Sequence, residues 1–246
     1  MANGLVETRV AFPGNGTMMR GVLLSPKGAG RLPAIIISPG AGGLTGPVVD
    51  IGKGLANDGY TVLVVDLYSH VPEDDLPRPA TYQAILPLFR AIDERQYLLS
   101  LDATVGYLQG LPIVRPDRIG ITGFCAAFPL VFACHNPRIA CAVSFYNQMH
   151  YGPDTQADPT VMPIDRLPSL WCPWQGHYGA EDGAIPLDQR EEFLKVAARY
   201  KKSVDLHVYP GAGHGFAEPG GRAYHQHAAT QAWDRAKAFF ARHLKG

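Results

Sequence analysis

The sequence predicts an α/β protein: a mostly parallel central sheet with helices on both faces and an antiparallel hairpin at its N-terminus. Three observations lead there. Ala34 to Ser38 and Thr61 to Val65 are short, continuous, β-branched runs of the kind found in strands covered on both faces. Such runs alternate along the chain with segments of helical spacing, the pattern of βαβ crossovers. The N-terminal residues differ, with two strand-like runs flanking a turn-rich connection.

Taken in order, Leu5 to Phe12 and Met18 to Ser25 lie on either side of Pro13-Gly14-Asn15-Gly16 and predict a hairpin at the sheet edge. Val48 to Asn57, between the two buried strands, supplies a crossover helix. A long helical pattern from about Ala80 to Gln109 precedes the strand Arg118 to Thr122. Ala126 to Cys134 then reads as a helix and Ile139 to Phe145 as a further strand. Asn147 to Leu167, rich in Pro, Asp and Thr, is an irregular insertion. Ser169 to Trp174 and Val204 to Tyr209 complete the strands. Gln189 to Tyr200 and Tyr224 to Leu244 are the last helices, with Ala, Phe, Trp and Leu at helical spacing. No repeat, low-complexity tract or shift in composition marks a boundary, so the 246 residues read as one domain.

Composition narrows the function. Lys plus Arg equals Asp plus Glu at 22 each with no basic run, which argues against a nucleic-acid partner and for a small, neutral ligand. The N-terminus has no apolar core of a signal peptide, and no stretch approaches the roughly 18 apolar residues of a membrane span, so a cytoplasmic protein without a membrane partner is expected. Cys125, Cys134, Cys141 and Cys172 lack paired C-x-x-C spacing, and His150, His177, His225 and His227 form no i, i+4 pair with an acidic helper, so no metal is expected and the thiols are read as reduced. The loop Gly40 to Gly46 has Thr45 where a dinucleotide fingerprint needs glycine and no Gly-Lys-Ser/Thr after it; no nucleotide cofactor is expected either.

The chemistry gathers at Gly123-Phe124-Cys125-Ala126-Ala127, between a strand and a helix. Cysteine is often buried simply as a small hydrophobe, and alone Cys125 would read as structural. At a sharp strand-to-helix turn, however, a side chain is lifted above the sheet edge, where the next N–H and the helix N-terminus favour a thiolate. No Gly-x-Ser-x-Gly competes for that role. Downstream, Asp182 stands in Gly179-Ala180-Glu181-Asp182-Gly183 and His214 in the glycine-rich turn Pro210-Gly211-Ala212-Gly213-His214-Gly215, each after a strand-like run. Nucleophile, acid, histidine is the chain order of the α/β-hydrolase arrangement.

With these residues in place the chain resembles the dienelactone hydrolase family of cysteine-dependent α/β-hydrolases, from about Pro33 to His243. Asp66-Leu67-Tyr68 at a strand end matches the family's Asp-Leu-Tyr, Pro186 follows Asp182 at its usual spacing, and Gly213-His214-x-Phe216 matches the histidine loop. The resemblance implies an α/β-hydrolase fold and hydrolysis of an ester or lactone through a thioester on Cys125. His214 would hold the imidazolium charge and then activate water, and Asp182 would orient it. The oxyanion is expected between the N–H groups of Ala126 and Ala41. Tyr68, Phe89, Tyr146 and Trp174 are candidate pocket residues, weighed against the commoner role of an aromatic as core.

The chain also departs from the family. Ala127-Phe128 stand where it has glycines, crowding the elbow, and Gly40 stands where it has a glutamate. Its carboxylate-binding arginines fall at Glu218 and Tyr82 here, which points to a more neutral substrate than dienelactone. The partner is therefore a small-molecule ester or lactone, the chain a monomer or homodimer. The alternative reading is a non-catalytic small-molecule-binding protein on the same fold.

Overall fold

The computed structural model describes residues 4–77, 81–152 and 161–246, apart from the side chain of Tyr82. These form two compact units, one running up to Ile119 and the other from Gly120 on.

The first unit opens with β1 (Leu5–Pro13) and β2 (Met18–Pro26), an antiparallel hairpin in register from Leu5 opposite Pro26 to Pro13 opposite Met18. β2 pairs antiparallel with β4 (Thr61–Val65), and β4 pairs parallel with β3 (Leu32–Ser38), giving the order β1-β2-β4-β3. Ile35, Ile36, Ile37 and Val62 to Val65 are wholly buried, as unbroken β-branched runs require. The crossover helix α1 (Gly46–Asn57) approaches this layer closely at Gly52, where a Cβ would come within 2.9 Å of both Leu24 and Val64 side chains.

The helical pattern from Ala80 to Gln109 is two helices rather than one. α2 (Tyr82–Arg90) contains Pro87, and after Ala91-Ile92 the Asp93 side chain accepts the Gln96 N–H at 2.9 Å and starts α3 (Glu94–Gly110). An aspartate that caps a new first turn competes with continuation of the old helix. Ala80 itself lies outside the described residues.

The unit boundary falls within β5 (Val114–Phe124). In the second unit β5, β6 (Cys141–Phe145), β7 (Trp174–Gly179) and β8 (Val204–Tyr209) pair in that order, all parallel. α4 (Phe128–His135) is buried from Phe128 to Cys134, so it is apolar all round. α5 (Leu187–Arg199) and α6 (Gln226–Phe240) present alternating buried and exposed faces.

The expected strand Ser169 to Trp174 is displaced: Pro163–Ser169 is a 3-10 turn, and the strand begins where that reading ended. All six residues of Trp-Gln-Gly-His-Tyr-Gly are buried, and the polar ones are paired. His177 lies between Gln175 Oε1 at 3.0 Å and the Tyr209 hydroxyl at 2.8 Å, and Gln175 Nε2 donates to Asp205 at 2.9 Å. Within the irregular segment 147–167, residues 153–160 lie outside the described ones. Among the described residues no helix is long and apolar enough to cross a membrane.

Candidate active site

β5 ends at Phe124, and the next residue turns the chain. Cys125 has φ +62°, a left-handed conformation that a cysteine adopts only under constraint. Its N–H donates to the Phe145 carbonyl at 3.1 Å, its carbonyl accepts the Gln148 N–H at 2.9 Å, and the Ala126 N–H reaches back to the Phe124 carbonyl at 2.6 Å. This last bond closes a three-residue turn centred on the cysteine, the rare positive-φ form. The pattern is that of a nucleophile elbow, three residues before α4.

Cys125 is also the accessible thiol. Cys134, Cys141 and Cys172 are buried. Burial pushes Cys134 and Cys172 up to about 12 and Cys141 well above its ordinary value.

Asp182 follows β7 by three residues and is 2% exposed. One carboxylate oxygen accepts the N–H groups of Ala184 at 2.9 Å and Ile185 at 3.3 Å, which aims the other at His214 Nδ1, 2.9 Å away. The loops after β7 and β8 are laced together: Ala180 N–H donates to Tyr209 and Glu181 N–H to Ala212, both at 2.9 Å. Gly179 is required at this crossing, because a Cβ there would overlap the Ala212 carbonyl. The acid and the histidine are thus brought together by backbone before their side chains meet.

Nδ1 of His214 donates to Asp182, leaving Nε2 as the free ring nitrogen. Burial works against charge on this ring, but the hydrogen bonds to Asp182 and Cys125, with their charges, override it and raise the histidine from 6.5 to about 10.

Two other expected site residues meet here. Tyr146 is fully buried, its ring 5.0 Å from His214 at 61°, and its hydroxyl donates to Glu218 Oε1 at 2.9 Å. Burial, then the Glu218 charge and hydrogen bond, raise the Tyr146 hydroxyl well above its ordinary value. Burial likewise raises Glu218, against the opposing pull of Tyr146 and His214. The joining of Tyr146 to Glu218 was not foreseen, since nothing in either local sequence signals the other.

The remaining candidates are described each within its own unit. Trp174 is wholly buried, its Nε1 bonded to Ser144 at 2.9 Å and its ring 4.8 Å from Phe193, a core residue with no surface for a ligand. Ala127 and Phe128 are buried, Phe128 in the first turn of α4. Ala41, Tyr68 and Phe89 belong to the first unit. There the Tyr68 hydroxyl donates to the Ala41 carbonyl at 2.5 Å, and Tyr68 lines a cavity of about 300 Å³ with Gly42, Leu44 and Thr45. Phe89 is buried in α2, and Tyr82 opens that helix with its side chain outside the described residues.

The dienelactone hydrolase family profile matches residues 19–244. A Bradyrhizobium sp. protein named "Probable 2-oxo-3-(5-oxofuran-2-ylidene)propanoate lactonase" is 34% identical over 94% of this chain and 92% of its own length. A Synechocystis sp. protein assigned as a carboxymethylenebutenolidase is 27% identical with both chains fully covered. The crystal structure of a protein assigned as a dienelactone hydrolase from Klebsiella pneumoniae subsp. pneumoniae superposes with a TM-score of 0.86, at 27% identity and over 97% of this chain and 99% of that one. The chain belongs to the dienelactone hydrolase family and is a hydrolase of the α/β-hydrolase fold.

Proposed function

We propose that this protein hydrolyses a lactone or ester by covalent catalysis at Cys125. The observation that carries the reading is the left-handed Cys125 together with a histidine bonded to Asp182 at 2.9 Å, whose charge both Asp182 and Cys125 favour. The Cys125 thiol gives its proton to His214 Nε2 as the sulfur attacks the carbonyl carbon and forms a tetrahedral oxyanion. Collapse expels the alkoxide, which takes its proton from His214 Nε2 and leaves a thioester. His214 then removes a proton from water, the hydroxide adds to the thioester carbonyl and expels the Cys125 thiolate, which takes that proton back from His214 as the acid product departs. Asp182 keeps the proton on Nδ1 throughout.

The oxyanion is assigned to the Ala126 N–H. Because Ala126 already bonds the Phe124 carbonyl, an oxyanion there must share or replace that acceptor. Two curated relatives named for lactone hydrolysis support the lactone class. The Bradyrhizobium relative is named for a propanoate, whereas the partly buried Glu218 beside His214 disfavours a substrate carboxylate, so the reading here is a neutral lactone or ester. A panel of chromogenic esters, lactones and thioesters tests it: wild type should turn over at least one class and Cys125→Ala none. Equal turnover by both would sink the proposal.

A further inference from the structure

Tyr146 is gripped from two directions. It follows β6 directly, is fully buried and has φ +39°, a conformation that a bulky side chain keeps only where its surroundings over-determine it. Its own N–H donates to the His177 carbonyl at 2.8 Å. The Phe145 carbonyl just before it holds the Cys125 N–H, and the Gln148 N–H two residues on holds the Cys125 carbonyl. The backbone around Tyr146 is therefore bonded to both peptide groups of the nucleophile. Its side chain reaches the other way, packing 5.0 Å from His214 and 5.5 Å from Phe216 and donating its hydroxyl to Glu218. Glu218 lies four residues past His214 on the same loop.

We propose that Tyr146 and Glu218 are positioning residues, their hydrogen bond strutting the histidine loop against the nucleophile elbow so that the imidazole stays in reach of Cys125 through both halves of the reaction. The inference rests on the triad reading above. Asp182 holds His214 through one hydrogen bond, about which a ring can swing; the phenol packed on its flank removes that freedom. Misplacing a reacting group by about 1 Å costs on the order of 10²-fold in rate, so a strut at this place acts on turnover. What Tyr146 needs from residue 218 is an acceptor oxygen, which glutamine also offers.

The test compares Tyr146→Phe, Glu218→Ala, Glu218→Gln and the double variant Tyr146→Phe/Glu218→Ala on one neutral ester that the wild type hydrolyses. Cys125 alkylation by iodoacetamide is followed against pH in parallel. Tyr146→Phe and Glu218→Ala should each lower kcat about tenfold or more with KM within about twofold, and each should alter the alkylation profile. The double variant should be no worse than the worse single one, since both remove the same bond, and Glu218→Gln should recover most of what Glu218→Ala loses. Additive losses, an effect confined to KM, or a glutamine variant no better than alanine would overturn the proposal. Tyr146→Phe keeps the ring and removes one hydroxyl, so it remains decisive if Glu218→Ala does not fold. Should the wild type hydrolyse nothing, the triad reading fails by itself, and the alkylation profile of Tyr146→Phe then decides the strut: unchanged refutes it, altered sustains it.

Discussion

Replacing Asp182 by asparagine separates the charge and tautomer control of the acid from its shape. In the native loop one oxygen takes two backbone N–H groups and the other takes His214 Nδ1–H. An asparagine that keeps its carbonyl on Ala184 and Ile185 points its NH₂ at Nδ1, which must then accept, moving the ring proton to Nε2. In the flipped orientation the NH₂ faces two N–H donors. Either way the histidine meets Cys125 in the wrong state. The rise of His214 from 6.5 to about 10 measures the pull of Asp182 and Cys125 over opposing burial. If about half belongs to Asp182, its loss removes about 2 kcal/mol of imidazolium stabilisation after allowance for solvent screening, or roughly 30-fold. The wrong tautomer multiplies that, so kcat/KM should fall about 10²-fold or more while the protein stays folded.

Steady-state kinetics with thermal unfolding against pH provide the assay, with Glu181→Gln as the neighbouring control, expected within about twofold of wild type. A histidine raised on folding stabilises the native state fully below about 6.5 and loses that contribution as pH climbs through about 10. In Asp182→Asn the contribution should be smaller and its loss complete at a lower pH, with the onset unchanged near 6.5. Wild-type turnover in Asp182→Asn, or an essential Glu181 in its place, would refute the reasoning.

Three further outcomes are expected. Limited iodoacetamide should label Cys125 first by peptide mapping, because burial holds the other three thiols protonated; labelling of Cys134, Cys141 or Cys172 with Cys125 untouched would count against the assignment. Neutral esters should show higher kcat/KM than matched carboxylate-bearing ones, with the gap narrowed by Glu218→Gln. An anionic preference that weakens with salt would show a cation, not Glu218, governing the pocket. Gly179→Ala should destabilise by about 2 kcal/mol or more and abolish activity, since the new Cβ overlaps the Ala212 carbonyl where the acid and histidine loops cross; a variant with wild-type melting would contradict that crossing.

What could be read from sequence was whatever depends on apolar runs and motif order. β3 and β4 carry continuous apolar stretches rich in Ile and Val, and Cys125, Asp182 and His214 stand beside glycines that advertise turns. β7 was missed by five residues because Trp-Gln-Gly-His-Tyr-Gly looks like a surface segment. Its burial depends on Gln175, His177, Asp205 and Tyr209 finding one another across two strands, a pairing no local pattern encodes. Trp174, a pocket candidate weighed against a core role, proves to be core for the same reason, facing Ser144 and Phe193. The break at Asp93 was legible in principle, since Asp-x-x-Gln is a capping pattern, but Ala91 and Ile92 continue the helical spacing through it. The bond between Tyr146 and Glu218 spans 72 positions and could come only from the fold.

The left-handed turn at Cys125 sets stability against chemistry at a single residue. Glycine accepts φ +62° without penalty, while a side chain there costs on the order of 1–2 kcal/mol. Cys125→Gly should therefore melt no lower than wild type although it retains no nucleophile. Screening libraries of this protein for heat resistance alone would enrich inactive elbows, and only a selection that demands turnover would keep sulfur at this position.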